Sequence, residues 1–109
     1  MKLDDYAWWR KNAKDSTHPV GQKKPNAWGL YDMQGNVWEW CADGYAKDYY
    51  AKSPAKDPIG PDSGEVRLLR GGSWDNVSPD DFRCAFRVGN SPDRRRRYTG
   101  FRVARTLTP

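Results

Sequence analysis

The sequence predicts an α+β domain built from short, twisted antiparallel strands, with much irregular loop and little helix. Leu68 and Leu69 precede Gly71-Gly72, a pair that permits positive φ angles or a close backbone approach. The segment 82–88 alternates apolar side chains with arginine and alanine, which is the two-residue period of a half-buried strand. Ten Gly and eight Pro interrupt the 109 residues, so no long helical apolar face is expected.

The remaining elements follow along the chain. Residues 1–15 are predicted to form a short amphipathic N-terminal segment, and residues 16–27 are predicted to form a loop. In the segment 34–41, valine and glutamate alternate with two tryptophans, which predicts a central strand. Residues 46–65, with several tyrosines and prolines, predict a long loop. We find no internal repeat and no dividing linker, so residues 1–109 are predicted to form one minimal domain.

The C-terminal part of the chain predicts a further strand pair. Phe101 and Val103 repeat the apolar alternation of the segment 82–88, and the loop 89–99 between them has no apolar period. One face of this pair is expected to pack while the other carries arginine.

Large aromatic side chains are expected to supply much of a small core. The tryptophans predicted to be mostly buried are Trp38, Trp40 and Trp74. Cys41 and Cys84 permit either one disulfide or two reduced thiols, and their aromatic surroundings favour buried thiols. No apolar run approaches the length of a membrane span and no signal peptide is evident, so a soluble chain, cytoplasmic by default, is predicted.

Charge is unevenly distributed along the chain. Residues 82–109 contain eight Arg and one Asp (+7), whereas residues 1–81 contain eleven basic and thirteen acidic side chains (−2). The run Arg94–Arg97 followed by Tyr98 would suit nucleic acid, since guanidinium groups pair with phosphate and tyrosine stacks on bases. A solvated loop is the favoured alternative, because four charges make a small footprint and aspartates lie nearby.

Catalytic constellations are mostly absent from the sequence. The single histidine, His18, is expected on a surface loop rather than in a nucleophilic pair with Cys41 or Cys84. Two cysteines and one histidine supply only three of the four ligands of a structural zinc site, so a carboxylate would be needed as well. Calcium is more plausible, because Asn36 and Glu39 could offer oxygen ligands from a turn. The alternative is that Asn36 adopts a turn conformation and Glu39 pairs with an arginine.

Longer motifs point to a known family. They are Pro25-Asn-Ala-Trp-Gly-Leu-Tyr-Asp-Met-Gln-Gly-Asn-Val-Trp-Glu-Trp-Cys41, Arg67-Leu-Leu-Arg-Gly-Gly-Ser-Trp74, Arg83-Cys-Ala-Phe-Arg87 and Gly100-Phe-Arg102. With them the chain resembles the C-terminal portion of the formylglycine-generating enzyme (sulfatase-modifying factor) family. The resemblance implies a C-type-lectin-like fold. It also strengthens the calcium prediction, since family members bind calcium through the turn that corresponds to Asn36 and Glu39.

The resemblance does not extend to the oxidase chemistry of that family. Its enzymes convert a substrate cysteine to formylglycine with copper, which is held by two cysteines that follow the Gly-Gly-Ser-aromatic motif. This chain has Asn76 and Asp81 there, and neither supplies the thiolate that copper(I) prefers. No copper cofactor is therefore expected. The upstream segment of the usual domain is absent as well, which implies a fragment or a minimal version.

The same motifs resemble the constant scaffold of variable proteins from diversity-generating retroelements. In those proteins the residues between the scaffold motifs are varied for ligand binding. The corresponding scaffold segments here are 70–74, 83–87, 92–95 and 100–102. The main hypothesis is a non-catalytic protein that binds a macromolecular ligand, protein before nucleic acid, through residues 75–98. The alternative is a formylglycine-generating-enzyme-like domain or fragment, of an oxidoreductase family, without the copper cysteines.

The candidate ligand-binding residues mix donors, acceptors, charges and rings, as antibody paratopes do. They are Asp75, Asn76, Ser78, Asp80, Asp81, Phe82, Phe86, Val88, Asn90, Arg94, Arg96 and Tyr98. Phe82 and Phe86 have an alternative placement in the core, because of the alternation in their segment.

Overall fold

A computed structural model describes residues 2–44, 66–91 and 93–105. The elements are the helix α1 (Leu3–Tyr6), strands β1 (Trp38–Gly44) and β2 (Arg67–Arg70), a 3-10 helix (Pro79–Phe82), and strands β3 (Val88–Asn90) and β4 (Thr99–Gly100). The short strands and scarce helix of the predicted α+β class are confirmed. The predicted loop 46–65 lies outside the described residues. Within the described ranges, no helix is long and apolar enough to cross a membrane.

The strands form one four-stranded sheet in the order β3-β2-β1-β4. β1 pairs antiparallel with β2, and β2 pairs antiparallel with β3. The central strand predicted within 34–41 is therefore confirmed as β1. β4 pairs with β1 in parallel, so the sheet is mixed rather than wholly antiparallel. A parallel pair needs a long crossover, and the chain between β1 and β4 provides one.

The core combines side chains from the sheet, the N-terminal segment and the chain that follows β2. Its buried apolar residues are Ala7, Trp9, Ala13, Trp38, Leu68, Leu69, Trp74 and Phe82. Burial of Trp38 and Trp74 is as predicted, whereas Trp40 is only half-buried. Leu68 and Leu69 are both buried although successive side chains of a strand point to opposite faces. Both faces of the sheet are therefore covered at β2.

Gly72 makes the close backbone approach that the sequence predicted. Its φ is +75°, and a Cβ atom there would lie 2.6 Å from ring carbons Cδ1 and Cε1 of Phe82. The Phe82 side chain is 1% exposed, and its ring meets Trp9 edge-on with centroids 5.8 Å apart. Glycine at position 72 therefore makes room for the largest fully buried side chain of the described core.

The strand predicted over 82–88 is wrong. Pro79–Phe82 is a 3-10 helix, Ser78 is its N-cap and accepts a hydrogen bond from the amide of Asp80, and β3 starts only at Val88. A serine cap followed by proline favours a helical turn, and this local signal overrides the two-residue alternation.

The predicted strand pairing of Phe101 and Val103 is also wrong. β4 ends at Gly100, and these two side chains are 74% and 86% exposed. The buried-thiol prediction fails for Cys84, which is exposed, while Cys41 is half-buried; the two cysteines are not joined by a disulfide. Cys84 follows the 3-10 helix instead of lying in a strand, so the alternation that was expected to bury it does not apply.

Candidate binding surface

The segment 75–98, here called the display surface, begins at a tightly bonded turn. Trp74 N–H donates to the carbonyl of Asn36 at 2.9 Å. Ser73 donates from its N–H and its hydroxyl to Oδ1 of Asn76, at 2.9 and 2.8 Å. Because Ser73 and Trp74 are also buried, the Gly-Gly-Ser-Trp motif holds the first residues of the display surface in place.

The two positions that the resemblance assigned to copper-binding cysteines lie side by side. Asn76 Nδ2 donates to Asp81 Oδ2 at 2.8 Å. The Asn76 carbonyl accepts from the N–H of Arg10 at 3.1 Å. Asn76 is thus a structural link within the turn. An amide and a carboxylate stand where two thiolates would be needed, and such hard donors suit copper(I) poorly.

The backbone of the arginine loop, residues 93–98, is held by two buried tryptophans. Trp74 Nε1 donates to the carbonyl of Arg97 at 3.3 Å, and the N–H of Trp38 donates to the carbonyl of Tyr98 at 2.7 Å. The Tyr98 ring meets Trp74 edge-on, with centroids 6.5 Å apart. The loop backbone is therefore anchored while the arginine side chains are exposed.

The candidate ligand-binding residues differ in exposure. The exposed ones are Asp75, Asp80, Arg94 and Arg96. The half-buried ones are Asn76, Ser78, Asp81, Phe86, Val88, Asn90 and Tyr98. Phe82 is buried, so its assignment as a ligand contact is wrong. The 3-10 helix directs its ring against Gly72 and Trp9, which removes it from the surface.

Three arginines that the sequence analysis left out of the candidate set lie at the same surface. Arg95 and Arg97 are exposed, and the Arg97 guanidinium lies 5.8 Å from the centroid of the Trp74 ring. Arg10 pairs with Asp75 at 2.7 Å across 65 positions of sequence. The arginine run was a usable sequence signal for the first two. No local signal identifies Arg10, because its pairing depends on how the N-terminal segment packs.

The sequence predicted that the single histidine lies on a surface loop, and the structure places it in a loop but with its ring partly covered. The His18 ring is half-buried and stacks on Trp8, with centroids 3.7 Å apart and planes inclined by 10°. Its Nε2 lies 2.6 Å from the carbonyl oxygen of Ala13. His18 therefore acts as a packing element of the N-terminal segment.

Asn36 and Glu39 lie around the start of β1, where the resemblance implied a calcium site. Asn36 is buried with φ of +68°. Its side chain accepts from the N–H of His18 and donates to the His18 carbonyl, both at 3.0 Å. Arg102 donates to both carboxylate oxygens of Glu39. These contacts correspond to the alternative that the sequence left open, a turn conformation for Asn36 and an arginine partner for Glu39.

The Arg102 guanidinium lies among four oxygen atoms. Two belong to the Glu39 carboxylate, and the carbonyls of Tyr31 and Asp32 accept at 2.9 and 2.8 Å. The hydrogen bond to Glu39 raises the pKa of Arg102 above its ordinary value, which keeps the guanidinium charged. Arg102 thus engages the Glu39 carboxylate, and calcium stays a prediction from the resemblance. In the described ranges, no group of three or more His, Cys, Asp or Glu is suited to a metal ion.

Nearly the whole chain matches one known protein family. Residues 2–107 match the sulfatase-modifying factor enzyme 1-like domain. The formylglycine-generating enzyme of Streptomyces coelicolor is 46% identical over 91 residues, which cover 82% of this chain and 29% of the enzyme. The serine/threonine-protein kinase pkn1 of Chlamydia pneumoniae is 48% identical over 94 residues, which cover 84% of this chain and 15% of the kinase. The chain thus spans less than a third of either relative.

Solved structures give the same picture of the fold. Treponema denticola variable protein 1 superposes with a TM-score of 0.77 at 43% identity, covering 91% of this chain and 35% of that protein. PvdO from Pseudomonas aeruginosa superposes with a TM-score of 0.74 at 35% identity, covering 89% of this chain and 38% of PvdO. The first is a variable protein of a diversity-generating retroelement with a C-type-lectin-like fold, so the fold implied by the sequence motifs is confirmed.

Proposed function

The chain belongs to the family of sulfatase-modifying factor enzyme 1-like domains, and from this premise we propose that it is a non-catalytic binding domain. Its display surface, residues 75–98, would contact a macromolecular ligand, and its C-type-lectin-like frame would hold that surface in shape. The ligand we propose is a protein.

One observation carries the proposal: the backbone of the arginine loop is anchored while the side chains of Arg94, Arg95 and Arg96 are exposed. The carbonyls of Arg97 and Tyr98 accept hydrogen bonds from Trp74 and Trp38, both of which are buried. An anchored backbone loses less conformational entropy when a ligand binds. Because the anchoring uses backbone atoms, the loop side chains can change with little effect on the frame.

The chemistry of the surface also supports a binding role. The segment 75–98 combines exposed aspartates and arginines with the half-buried Tyr98 and Phe86. Aromatic rings supply rigid contact area, and polar side chains supply adaptable hydrogen bonds. Similarity to Treponema denticola variable protein 1 is in keeping with such a surface.

The distribution of charge favours a protein ligand over nucleic acid. Arg94–Arg97 are exposed, but the segment 75–98 also contains the exposed Asp75, Asp80 and Asp93. A phosphate backbone that extends beyond the four arginines would meet these carboxylates, whereas a protein can place its own charges to match.

A genomic observation tests the proposal directly. Diversification requires a second, noncoding near-copy of the DNA that encodes roughly residues 70–102. We expect such a copy near the gene, differing from it mainly at adenines. If the flanking DNA contains no copy, the display surface is not diversified and the second function considered below takes precedence.

A display experiment tests the division between frame and surface. Positions 75, 80, 94, 95 and 96 would be randomised on a cell surface, and folded chains would be scored by resistance to protease. We expect most variants to stay folded, because the Asp75–Arg10 pair is exposed and such pairs contribute little. Randomising Gly72, Trp74 and Phe82 is the matched control and should abolish resistance. Equal losses in the two libraries would contradict the proposal.

A second candidate function is a supporting domain of a formylglycine-generating-enzyme-like protein. The 46% identity to the Streptomyces coelicolor enzyme favours it. The hydrogen-bonded pair of Asn76 and Asp81 argues against oxidase chemistry in this chain alone, because neither side chain offers a thiolate. Oxygen consumption by this chain with a cysteine-containing sulfatase peptide and added copper would show oxidase chemistry of its own and would overturn the binding proposal.

A further inference from the structure

Three successive arginines of the arginine loop have exposed side chains that form no ion pair within residues 2–44, 66–91 and 93–105. They are Arg94, Arg95 and Arg96. The ion pairs between described residues draw their cations from other parts of the chain, namely Arg10, Lys11, Lys24 and Arg102. Three guanidinium groups are therefore open to solvent at consecutive positions.

The charge of the arginine loop is not balanced within the loop. Residues 93–98 contain four arginines and one aspartate, a net charge of +3. The aspartate, Asp93, accepts a hydrogen bond from the Ser91 hydroxyl. The fourth arginine, Arg97, lies over the Trp74 ring at 5.8 Å. Like charges this close raise the local potential, and a partner of opposite charge relieves the repulsion.

The backbone on both sides of the three arginines is held in place. The N–H of Arg94 donates to the carbonyl of Ser91 at 3.0 Å, and the N–H of Thr99 donates to the carbonyl of Arg96 at 3.2 Å. The two carbonyls that follow Arg96 accept from the buried tryptophans described above. Binding therefore restricts side-chain rotamers more than backbone, which keeps the entropic cost low.

The exposure of the three arginines decides what size of anion they can hold. A single ion pair at an exposed site contributes little, so a small molecule with one carboxylate would bind weakly. Several carboxylates on one chain act together, because the first contact raises the effective concentration of the others. Guanidinium groups also bind carboxylates through two parallel hydrogen bonds. The loop therefore suits a polymer that carries several anionic groups.

The surroundings of Tyr98 favour a polypeptide over a nucleic acid. Its side chain is half-buried and its ring meets Trp74 edge-on, with centroids 6.5 Å apart. Single-stranded nucleic acid is usually held by bases stacked on open aromatic rings, and this ring is partly covered. Given the binding function proposed above, on which this step rests, we infer that Arg94, Arg95 and Arg96 bind a short run of Asp or Glu residues in the protein ligand.

The first test compares three labelled probes by fluorescence anisotropy. They are a capped hexapeptide of glutamate, the matching hexapeptide of glutamine, and a hexamer of thymidine nucleotides. The glutamate peptide should bind at least about tenfold tighter than the glutamine peptide. Its affinity should fall as NaCl rises from about 50 to about 300 mM, because salt screens exposed charges. Equal binding of the two peptides, or tighter binding of the oligonucleotide, would overturn the inference.

The triple substitution Arg94→Gln, Arg95→Gln and Arg96→Gln is the informative variant. The three side chains are exposed, so the domain should stay folded. Affinity for the glutamate peptide should fall at least about tenfold. The matched control removes the same charge from exposed lysines of the N-terminal part, with Lys2→Gln, Lys14→Gln and Lys24→Gln. It should change affinity less than about twofold, since distant charges are screened. Equal losses would show an effect of net charge alone and would overturn the inference.

Selection from a random peptide library separates the acidic ligand from the wider binding function. Enrichment of peptides rich in Asp and Glu, lost in the triple variant, would support the inference. Neutral peptides that shift the amide signals of residues 75–98 in NMR spectra would overturn it and leave the binding function standing. Failure to enrich any peptide would count against both.

Discussion

Arg102 donates to both carboxylate oxygens of Glu39, a residue 63 positions earlier in the chain. The contact joins β1 to the segment that follows β4, at the edge where those strands run parallel. It also places the guanidinium against the carbonyls of Tyr31 and Asp32. One side chain therefore links the segment after β4 to two stretches, residues 31–32 and β1, that lie 63 to 71 positions earlier in the chain.

The Arg102–Glu39 pair should contribute measurable coupling to stability. The Glu39 side chain is 16% exposed and that of Arg102 is 42% exposed, so solvent reduces the effect. A double-mutant cycle with Arg102→Ala and Glu39→Gln should give a coupling of about 1 kcal/mol in urea unfolding. Arg102→Lys should recover only part of it, because an ammonium cannot reproduce the two-pronged contact. Additive single effects would show that the pair contributes nothing.

Removal of Arg102 should also decide the calcium prediction. In the wild type the guanidinium occupies the Glu39 carboxylate, so added calcium should barely change Tm. Arg102→Ala frees that carboxylate and two backbone carbonyls, the oxygen ligands that calcium prefers. We expect calcium, compared with EDTA, to raise the Tm of this variant more than that of the wild type. A large rise in the wild type would instead show that Arg102 yields its place to the ion.

Gly72→Ala should destabilise the domain strongly. A methyl group there meets the Phe82 ring at 2.6 Å and also requires φ of +75°. The two effects together should cost about 2–4 kcal/mol in chemical denaturation. Gly29→Ala is the control, since φ is +81° but no atom lies within 4 Å of the added methyl. It should cost only the conformational part, and equal losses in the two variants would refute the packing argument.

Trp74→Ala should be among the most damaging tryptophan substitutions. The side chain is buried, and its Nε1 donates to the backbone of the arginine loop. Large-to-small changes at such sites cost about 3–5 kcal/mol. Trp28→Ala is the matched control, because Trp28 is 88% exposed. Calorimetry should show a large drop in Tm for the first variant and little change for the second. An unchanged Tm for Trp74→Ala would contradict the prediction.

The contact between Asn76 and Asp81 predicts that paired cysteines at these positions would meet. The double substitution Asn76→Cys with Asp81→Cys should create a copper(I) site or, on oxidation, a disulfide. Competition with a copper(I) chelator and a count of free thiols would measure both outcomes. Each single substitution is the control. If the double variant gains neither property over the singles, the two positions are not equivalent to the copper ligands of the family.

Several features of the fold could be predicted from local sequence. The central strand β1, the scarcity of helix and the special backbone at Gly72 each depend on residues within a few positions of one another. The strand predicted at 82–88 failed because Ser78 and Pro79 start a helical turn that the alternation argument ignored. Burial of Phe82 in turn removed one candidate from the binding surface.

Short strands, the Gly71-Gly72 turn and the arginine-rich loop follow from side-chain period, glycine stereochemistry and local charge, which act over short stretches of chain. The lectin-like class came from the resemblance of the longer motifs to a known family. Tertiary packing, in contrast, brings Asn76 to Asp81 and Arg102 to Glu39, and it buries Asp32 with one oxygen that has no partner among the described residues. Such contacts depend on where distant segments come together, and no local pattern encodes that distance.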